Sequence, residues 1–238
     1  MRFYQFKTYL TKDKKNSDPL FCRYIYRPIS LYIAWILQRL GVSANQVTIS
    51  TIVISFIGCL LFFTGYFINS VIASILFCFA GISDCVDGNI ARANKNPSLQ
   101  GIWLDAVSGY FIYAFQPISI GVFIEKNNPE FIFPGFWIMA SGLVSILNLF
   151  SRIIFQKYLN LISNISKKEL SKNQKRDFSI GNEIGLVGFM MPFLFITTIF
   201  NNLSIYISFY LFIYSITSIY VFISINKKIK NYSKIIPS

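Results

Sequence analysis

Residues 83–110 read S-D-C-V-D-G-N-I-A-R-A-N-K-N-P-S-L-Q-G-I-W-L-D-A-V-S-G-Y and carry three carboxylates between long apolar runs. Asp84 and Asp87 are three residues apart, so a helix places them on one face. Asp105 follows Gly101 by four residues and shares a stripe with it on the next predicted helix. Because a carboxylate at membrane depth is costly, three of them so close together predict a functional site.

The composition of the chain indicates a polytopic helical membrane protein. Its 238 residues are 54% hydrophobic, 18% aromatic and only 13% charged. The apolar residues form runs of about 20, the length of a helix that spans a bilayer. The net charge of +12 collects in a few segments between these runs, as in loops that face anionic headgroups. The sequence contains no recognisable nucleic-acid-binding module, so we assign this charge to a membrane partner and not to nucleic acid.

These features predict an all-α integral membrane protein with six transmembrane helices preceded by a cytoplasmic-face amphipathic helix. Residues 1–18 are predicted to be a basic cytoplasmic tail, 19–41 the amphipathic helix, 42–226 the membrane domain and 227–238 a second cytoplasmic tail. The six predicted spans within the membrane domain are 46–66, 69–90, 99–124, 132–156, 181–200 and 204–226.

The segment 19–41 has the signals of a helix that lies in the headgroup layer. Pro28 suits the first helical turn and Gly41 a stop. The segment is short and basic at both ends, which favours an interfacial helix, with a short first span as the alternative. Asn45 follows as the predicted N-cap of the first span. The apolar stripe of the interfacial helix comprises Ile29, Ile33, Ile36, Leu37 and Leu40.

The distribution of basic residues predicts the orientation of the chain. Of the 22 lysines and arginines, only Lys126 falls on the far side of the predicted membrane. Basic loops stay in the cytoplasm, so we expect both termini and the acidic cluster there. The expected location is a cell membrane, the inner membrane of a bacterium. The basic loop 167–176 is interpreted as an ordinary loop of this kind, with contact to an anionic lipid or phosphorylated acceptor as the alternative.

The residue types of the cluster suit a divalent cation and a phosphate-bearing substrate. Carboxylate oxygens are hard ligands, and metal ions can clamp the oxygens of a phosphoryl transfer. Arg92 could neutralise a phosphate. Simple pairing of Asp84 and Asp87 with Arg92 at a helix end is the structural alternative. The chain has no histidine and its four cysteines form no C-x-x-C pair, so a zinc site is not expected.

The motif D-x2-D-G-x2-A-R-x8-G-x3-D resembles the signature of the CDP-alcohol phosphotransferases, membrane enzymes of phospholipid synthesis also named CDP-alcohol phosphatidyltransferases. Asn45 and Thr48 are similar to an asparagine–threonine element of the same family. The resemblance implies six spans, an interfacial N-terminal helix and a homodimer. The matching signature positions here are Asp84, Asp87, Gly88, Ala91, Arg92, Gly101 and Asp105.

By this resemblance, Asp84, Asp87 and Asp105 hold one or two Mg²⁺ or Mn²⁺ ions, and Asp87 and Asp105 are catalytic. The expected reaction moves a substituted phosphate from a CDP-linked donor to a lipid or polyol acceptor and releases CMP. Phospholipid or surface-glycan synthesis is the expected setting. The predicted donor-site residues are Asp84, Gly88, Ala91, Arg92, Gly101, Asn45 and Thr48.

The chain departs from the signature at Gly109, where the family has a fourth aspartate that serves as base and metal ligand. Losing a general base typically costs about 10²–10⁴-fold in rate. The acceptor could be already ionised, or Asp105, Glu183, Ser108 or Tyr110 could take the role. Alternatively, the chain is a non-catalytic relative that binds a CDP-linked lipid.

A transporter or channel with intramembrane acids is a weaker alternative. Its acids would be expected along a path through the membrane, whereas these lie at one face. The chain also lacks a pair of matching broken helices in two halves, which many transporters have. An enzyme therefore remains the favoured interpretation.

Overall fold

The computed structural model describes Phe3 and residues 18–94, 98–128, 132–163 and 185–235. Every secondary-structure element within these residues is helical. The fold class predicted from composition, an all-α protein with several membrane-spanning helices, is confirmed in this coarse form.

Five helices are long and apolar enough to cross a membrane. All five begin within four positions of the first residue of a predicted span. The last runs well beyond its predicted end, so much of the predicted C-terminal tail is helical. In chain order these helices are α2 (Ala44–Phe63), α3 (Phe67–Ala93), α4 (Leu99–Asn127), α5 (Phe136–Ser163) and α7 (Leu203–Ile235).

The predicted span 181–200 differs from the others in the structure. Its described part is a π-helical turn, Leu186–Met190, followed by the short helix α6 (Met191–Ile199). Gly188 has non-helical backbone angles inside this segment, which marks a kink. The apolar helix Gly188–Ile199 is shorter than the other spans, whereas about 20 residues are needed to cross a bilayer. The structure therefore contains five spans of full length among its described residues, and a sixth stays a prediction.

The N-terminal helix packs on α3 with a face that overlaps its predicted apolar stripe only in part. A π-helical turn, Cys22–Tyr26, leads into α1 (Arg27–Arg39). Leu31 and Ala34 are buried against residues of α2 and α3. In the predicted stripe, Ile29, Ile36 and Leu40 are exposed, whereas Ile33 and Leu37 are partly buried against the same cluster. The placement of the helix in the headgroup layer stays a prediction.

Short turns set the entry to the membrane helices. Gly41 ends the N-terminal segment with a φ of +77°, a conformation that glycine adopts without strain. Ser43, and not Asn45, is the N-cap of α2, so that part of the sequence prediction is wrong. Ser43 Oγ accepts from Gln46 N at 3.3 Å, and Gln46 Oε1 accepts from Ser43 N at 2.8 Å. This reciprocal capping box satisfies two backbone donors, and Asn45 is left inside the first turn.

The core lies in the middle of the bundle and fixes the helices relative to one another. α2 packs on α3 and α4, α4 packs on α5, and α5 packs on α7. Gly121 allows the closest approach, since a Cβ there would lie 2.6 Å from the backbone oxygen of Trp137. The largest fully buried side chains include Phe62, Phe77, Ile120, Met191, Tyr206 and Tyr210.

Candidate active site

A cavity of about 400 Å³ opens between the start of α2, the end of α3 and the start of α4. All of the site residues predicted from the sequence line it, although they come from three helices. Their burial varies from the buried Asp87 to the exposed Asp105. The lining residues are Ser43, Ala44, Asn45, Thr48, Asp84, Asp87, Gly88, Ala91, Arg92, Asn94, Ser98, Gly101, Ile102 and Asp105.

The buried carboxylate of Asp87 is oriented by α2. Thr48 Oγ1 lies 2.7 Å from Asp87 Oδ2 and 3.1 Å from the backbone oxygen of Ala44. Both oxygens are acceptors, so the single hydroxyl proton serves one of them at a time. Asp87 is only 6% exposed, and a buried carboxylate requires such a donor. The threonine predicted from the family element thus contacts the second aspartate of the motif directly.

Two glycines make room for polar side chains at the cavity. A Cβ on Gly101 would lie 3.0 Å from both Asn45 Oδ1 and Ser98 Oγ. A Cβ on Gly88 would lie 3.3 Å from Arg92 Nη1. Both distances are tighter than ordinary carbon contacts. The glycines of the motif therefore let Asn45 approach α4 and let the Arg92 guanidinium lie against α3.

The polar groups that sequence reasoning missed are mainly helix-start residues. Ser98 is the N-cap of α4, and its Oγ accepts from Gly101 N at 2.9 Å. It follows a proline and precedes an apolar run, which is a recognised start signal. Ser43 carries the capping-box signal with Gln46. Both serines line the cavity, so cap analysis of the sequence would have identified them.

The residues offered as replacements for the missing base differ in position. Asp105 lines the cavity. Ser108 is 3% exposed and Tyr110 is partly buried, and neither is among the lining residues. Gly109 has open space, because a Cβ there would meet only Tyr113 Cε2, at 4.0 Å. Glu183 and the loop 167–176 lie outside the described residues.

The three carboxylates are suited to a divalent cation by their chemistry. Their oxygens are hard donors, and all three line one cavity, the setting that Mg²⁺ or Mn²⁺ requires. Within the described part of the chain, no three Asp, Glu, Cys or His side chains already form a group that could hold a metal. The carboxylates fit a cation by their residue type alone, and metal binding is a proposal.

Comparison with protein families supports the family resemblance found in the sequence. A family model described as CDP-alcohol phosphatidyltransferase matches residues 41–223. The matched range includes α2 to α4 and every residue that lines the cavity. A search among curated proteins found no significant match. Because the family model covers most of the sequence, the chain belongs to the CDP-alcohol phosphatidyltransferase family.

Proposed function

We propose that the protein is an active enzyme that transfers a substituted phosphate from a CDP-linked donor to an acceptor hydroxyl and releases CMP. Membership of the family implies phosphatidyl transfer from a CDP-alcohol in lipid synthesis. One observation supports assigning the family's reaction to this chain. The motif residues of α3 and α4 and the Asn45–Thr48 pair of α2 surround one cavity. Phospholipid or surface-glycan synthesis is the proposed setting.

The proposed role of the cavity is to hold the diphosphate of the donor. Asp84, Asp87 and Asp105 would hold one or two Mg²⁺ or Mn²⁺ ions, as the family generally depends on a divalent metal. Such an ion, when bound, offsets the negative charge of the diphosphate. Arg92 supplies a further cation beside it. Gly88 and Gly101 leave room for Arg92 and Asn45 at the cavity, and Thr48 orients the Asp87 carboxylate.

The proposed reaction is a single displacement at phosphorus. The acceptor oxygen bonds to the phosphorus that carries the donor alcohol, and the bridging bond to CMP breaks. The acceptor proton must leave in the same step. We assign its removal to Asp105, which lines the cavity, whereas the other candidates within the described residues, Ser108 and Tyr110, do not. An acceptor that is already ionised would need no base.

The first test is CMP release by the purified chain. The assay would use Mg²⁺ or Mn²⁺ and CDP-linked diacylglycerol, choline, ethanolamine, glycerol and ribitol as donors. We expect release with one donor class, lost in Asp87→Ala and retained in Glu125→Gln at the other end of the bundle. Release that Asp87→Ala leaves unchanged would contradict the site assignment.

The second candidate is a CDP-lipid-binding relative without turnover, and Gly109 is the observation that favours it. It predicts metal-dependent CDP binding with no CMP from any donor. Transport is tested separately in proteoliposomes, where substrate flux without CMP formation would support it. Such flux is not expected, because the predicted site acids line a single cavity at one end of the bundle.

The proposed location is a bacterial inner membrane with both termini and the cavity in the cytoplasm, and the proposed assembly is a homodimer. The five long apolar helices support an integral membrane protein. The charge asymmetry of the sequence supports the orientation. We expect an impermeant reagent to modify a cysteine introduced at Ser98 only after the vesicles have been opened. Cross-linking in lipid tests the dimer.

A further inference from the structure

Asn89 lies behind the cavity on α3 and connects it with the N-terminal segment. The residue is only 1% exposed and does not line the cavity. Its Oδ1 accepts from Arg92 Nη2 at 2.7 Å and from Arg27 Nη1 at 2.9 Å. Its Nδ2 donates to Ser30 Oγ at 3.1 Å. One buried amide therefore holds a cavity arginine and an arginine of α1 together.

The arginine on the N-terminal side is itself anchored. Arg27 Nε and Nη2 donate to Asp18 Oδ2 at 2.9 and 2.6 Å. Both side chains are largely buried, at 14% and 10% exposure. Charge-assisted bonds of this kind are shorter and stronger than neutral ones. The contacts therefore run without a gap from Asp18 through Arg27 and Asn89 to Arg92.

The charges along this chain of contacts are unequal. Asp18 balances Arg27, whereas the group that holds Arg92 is a neutral amide. A carboxylate at position 89 would fix the guanidinium equally well but would cancel part of its charge. An amide oxygen fixes it and leaves its positive charge for an anion.

We propose that Asn89, anchored by Arg27, is a positioning residue that holds Arg92 at the cavity with its charge available for the diphosphate of the CDP-linked donor. This inference rests on the proposed function. It also makes α1 part of the donor site and not only a membrane-surface helix. Gly88 is the second condition for this placement of Arg92, because a Cβ at position 88 would lie only 3.3 Å from Arg92 Nη1.

The test is CDP binding by the full-length chain in detergent with Mn²⁺, measured by titration calorimetry. Asn89→Ala should weaken binding about 10-fold, the effect of losing a hydrogen bond to a charged group. Ser30→Ala is the matched control, because it removes the other partner of Asn89 and leaves the two arginine contacts. It should bind CDP within about 2-fold of wild type.

A double-mutant cycle separates positioning from general damage. In an Arg92→Met background, Asn89→Ala should change CDP binding by less than about 2-fold, because its effect passes through Arg92. If Asn89→Ala does not fold, Asn89→Asp replaces it. That variant keeps an acceptor for both arginines, so it should retain the wild-type melting temperature and still bind CDP about 5-fold or more weakly.

The outcomes distinguish this inference from the function on which it rests. Wild-type affinity in Asn89→Ala, or an equal loss with and without Arg92, would overturn the positioning role alone. Failure of the wild-type chain to bind CDP would overturn the proposed donor site, and the role of Asn89 with it. If only Asn89→Asp folds, wild-type affinity in that variant would overturn the inference.

Discussion

The two ends of the helix bundle use charged residues in different ways. At the end of α4 away from the cavity, charges satisfy backbone groups of neighbouring turns. Glu125 Oε1 accepts from Gly135 N at 2.6 Å, and Oε2 accepts from Trp137 N at 3.1 Å. Lys126 Nζ donates to the Phe63 oxygen at 2.6 Å. These side chains close the connections between helices, which is a structural role.

At the cavity end, the corresponding contacts are made between side chains. Asp87 accepts from the hydroxyl of Thr48, and Arg92 donates to the amide of Asn89. Asp84 and Asp105 line the same cavity as Asp87. A charge beside an apolar run therefore does not by itself indicate a functional site. Its partners are informative, because a backbone partner indicates closure of a loop and a shared cavity indicates a site.

The largest effect is expected from Asp105→Asn, which removes a charge at the cavity with little change in volume. CMP release should fall by about 10²–10⁴-fold, as for loss of a general base. The melting temperature should stay near that of wild type, since Asp105 is exposed. Both quantities are measured on the same detergent preparation. Unchanged release would remove Asp105 from the mechanism.

Gly109→Asp asks whether the cavity end lacks a base. The new side chain has room, because its Cβ would meet only Tyr113 Cε2, at 4.0 Å. We expect CMP release to rise about 10-fold or more if a carboxylate is restored where the family has one. Gly109→Asn, which has the same shape and no base, should not raise it. A fall with aspartate alone would instead indicate an anionic acceptor that the new charge repels.

The sequence was sufficient to name residues that line one cavity, because the family signature is local. Asp84 to Arg92 lie within one helix, and Gly101 and Asp105 lie in the first two turns of the next, only a few residues further along the chain. Thr48 comes from a separate helix, and only the resemblance connected it with Asp87. Composition and run length were sufficient for five spans, because burial of apolar surface in lipid depends on few details.

The contacts behind the cavity could not be predicted from the sequence. The Arg27–Asn89 contact joins residues 62 positions apart, and no periodicity encodes such a pair. Asn89 and Arg92 are three apart on one helix, but that spacing alone does not show that Asn89 also holds Arg27. The packing face of α1 was also missed, because Ser30 and Ala34 are weakly hydrophobic and are buried by their fit against α3. Of the apolar stripe that periodicity identified, Ile29, Ile36 and Leu40 are exposed, and only Ile33 and Leu37 pack against the protein. In a membrane protein, an apolar residue can face either the lipid or the protein core, so hydrophobicity alone does not identify the packing face.

Glu125→Gln measures the structural role at the opposite end. The amide keeps one oxygen, so one of the two backbone donors, Gly135 N or Trp137 N, loses its acceptor and the other keeps only a neutral one. An unsatisfied or weakened bond of this kind costs about 1–3 kcal/mol, which should lower the melting temperature in detergent. CMP release at low temperature should be unchanged. Loss of release with an unchanged melting temperature would contradict the division between the two ends.

The smallest effect is expected at the start of α2, where the N-cap is Ser43 and not the predicted Asn45. Ser43→Ala removes the cap and should destabilise the protein by about 1 kcal/mol, seen as a small fall in melting temperature. Asn45→Ala is the matched control, because Asn45 is not the cap and its Oδ1 lies beside Gly101 at the cavity. It should keep the melting temperature and weaken CDP binding. If Asn45→Ala lowered the melting temperature and Ser43→Ala did not, Asn45 would be the cap. The first turn of α2 would then have the structural role that Glu125 and Lys126 have at the opposite end of the bundle.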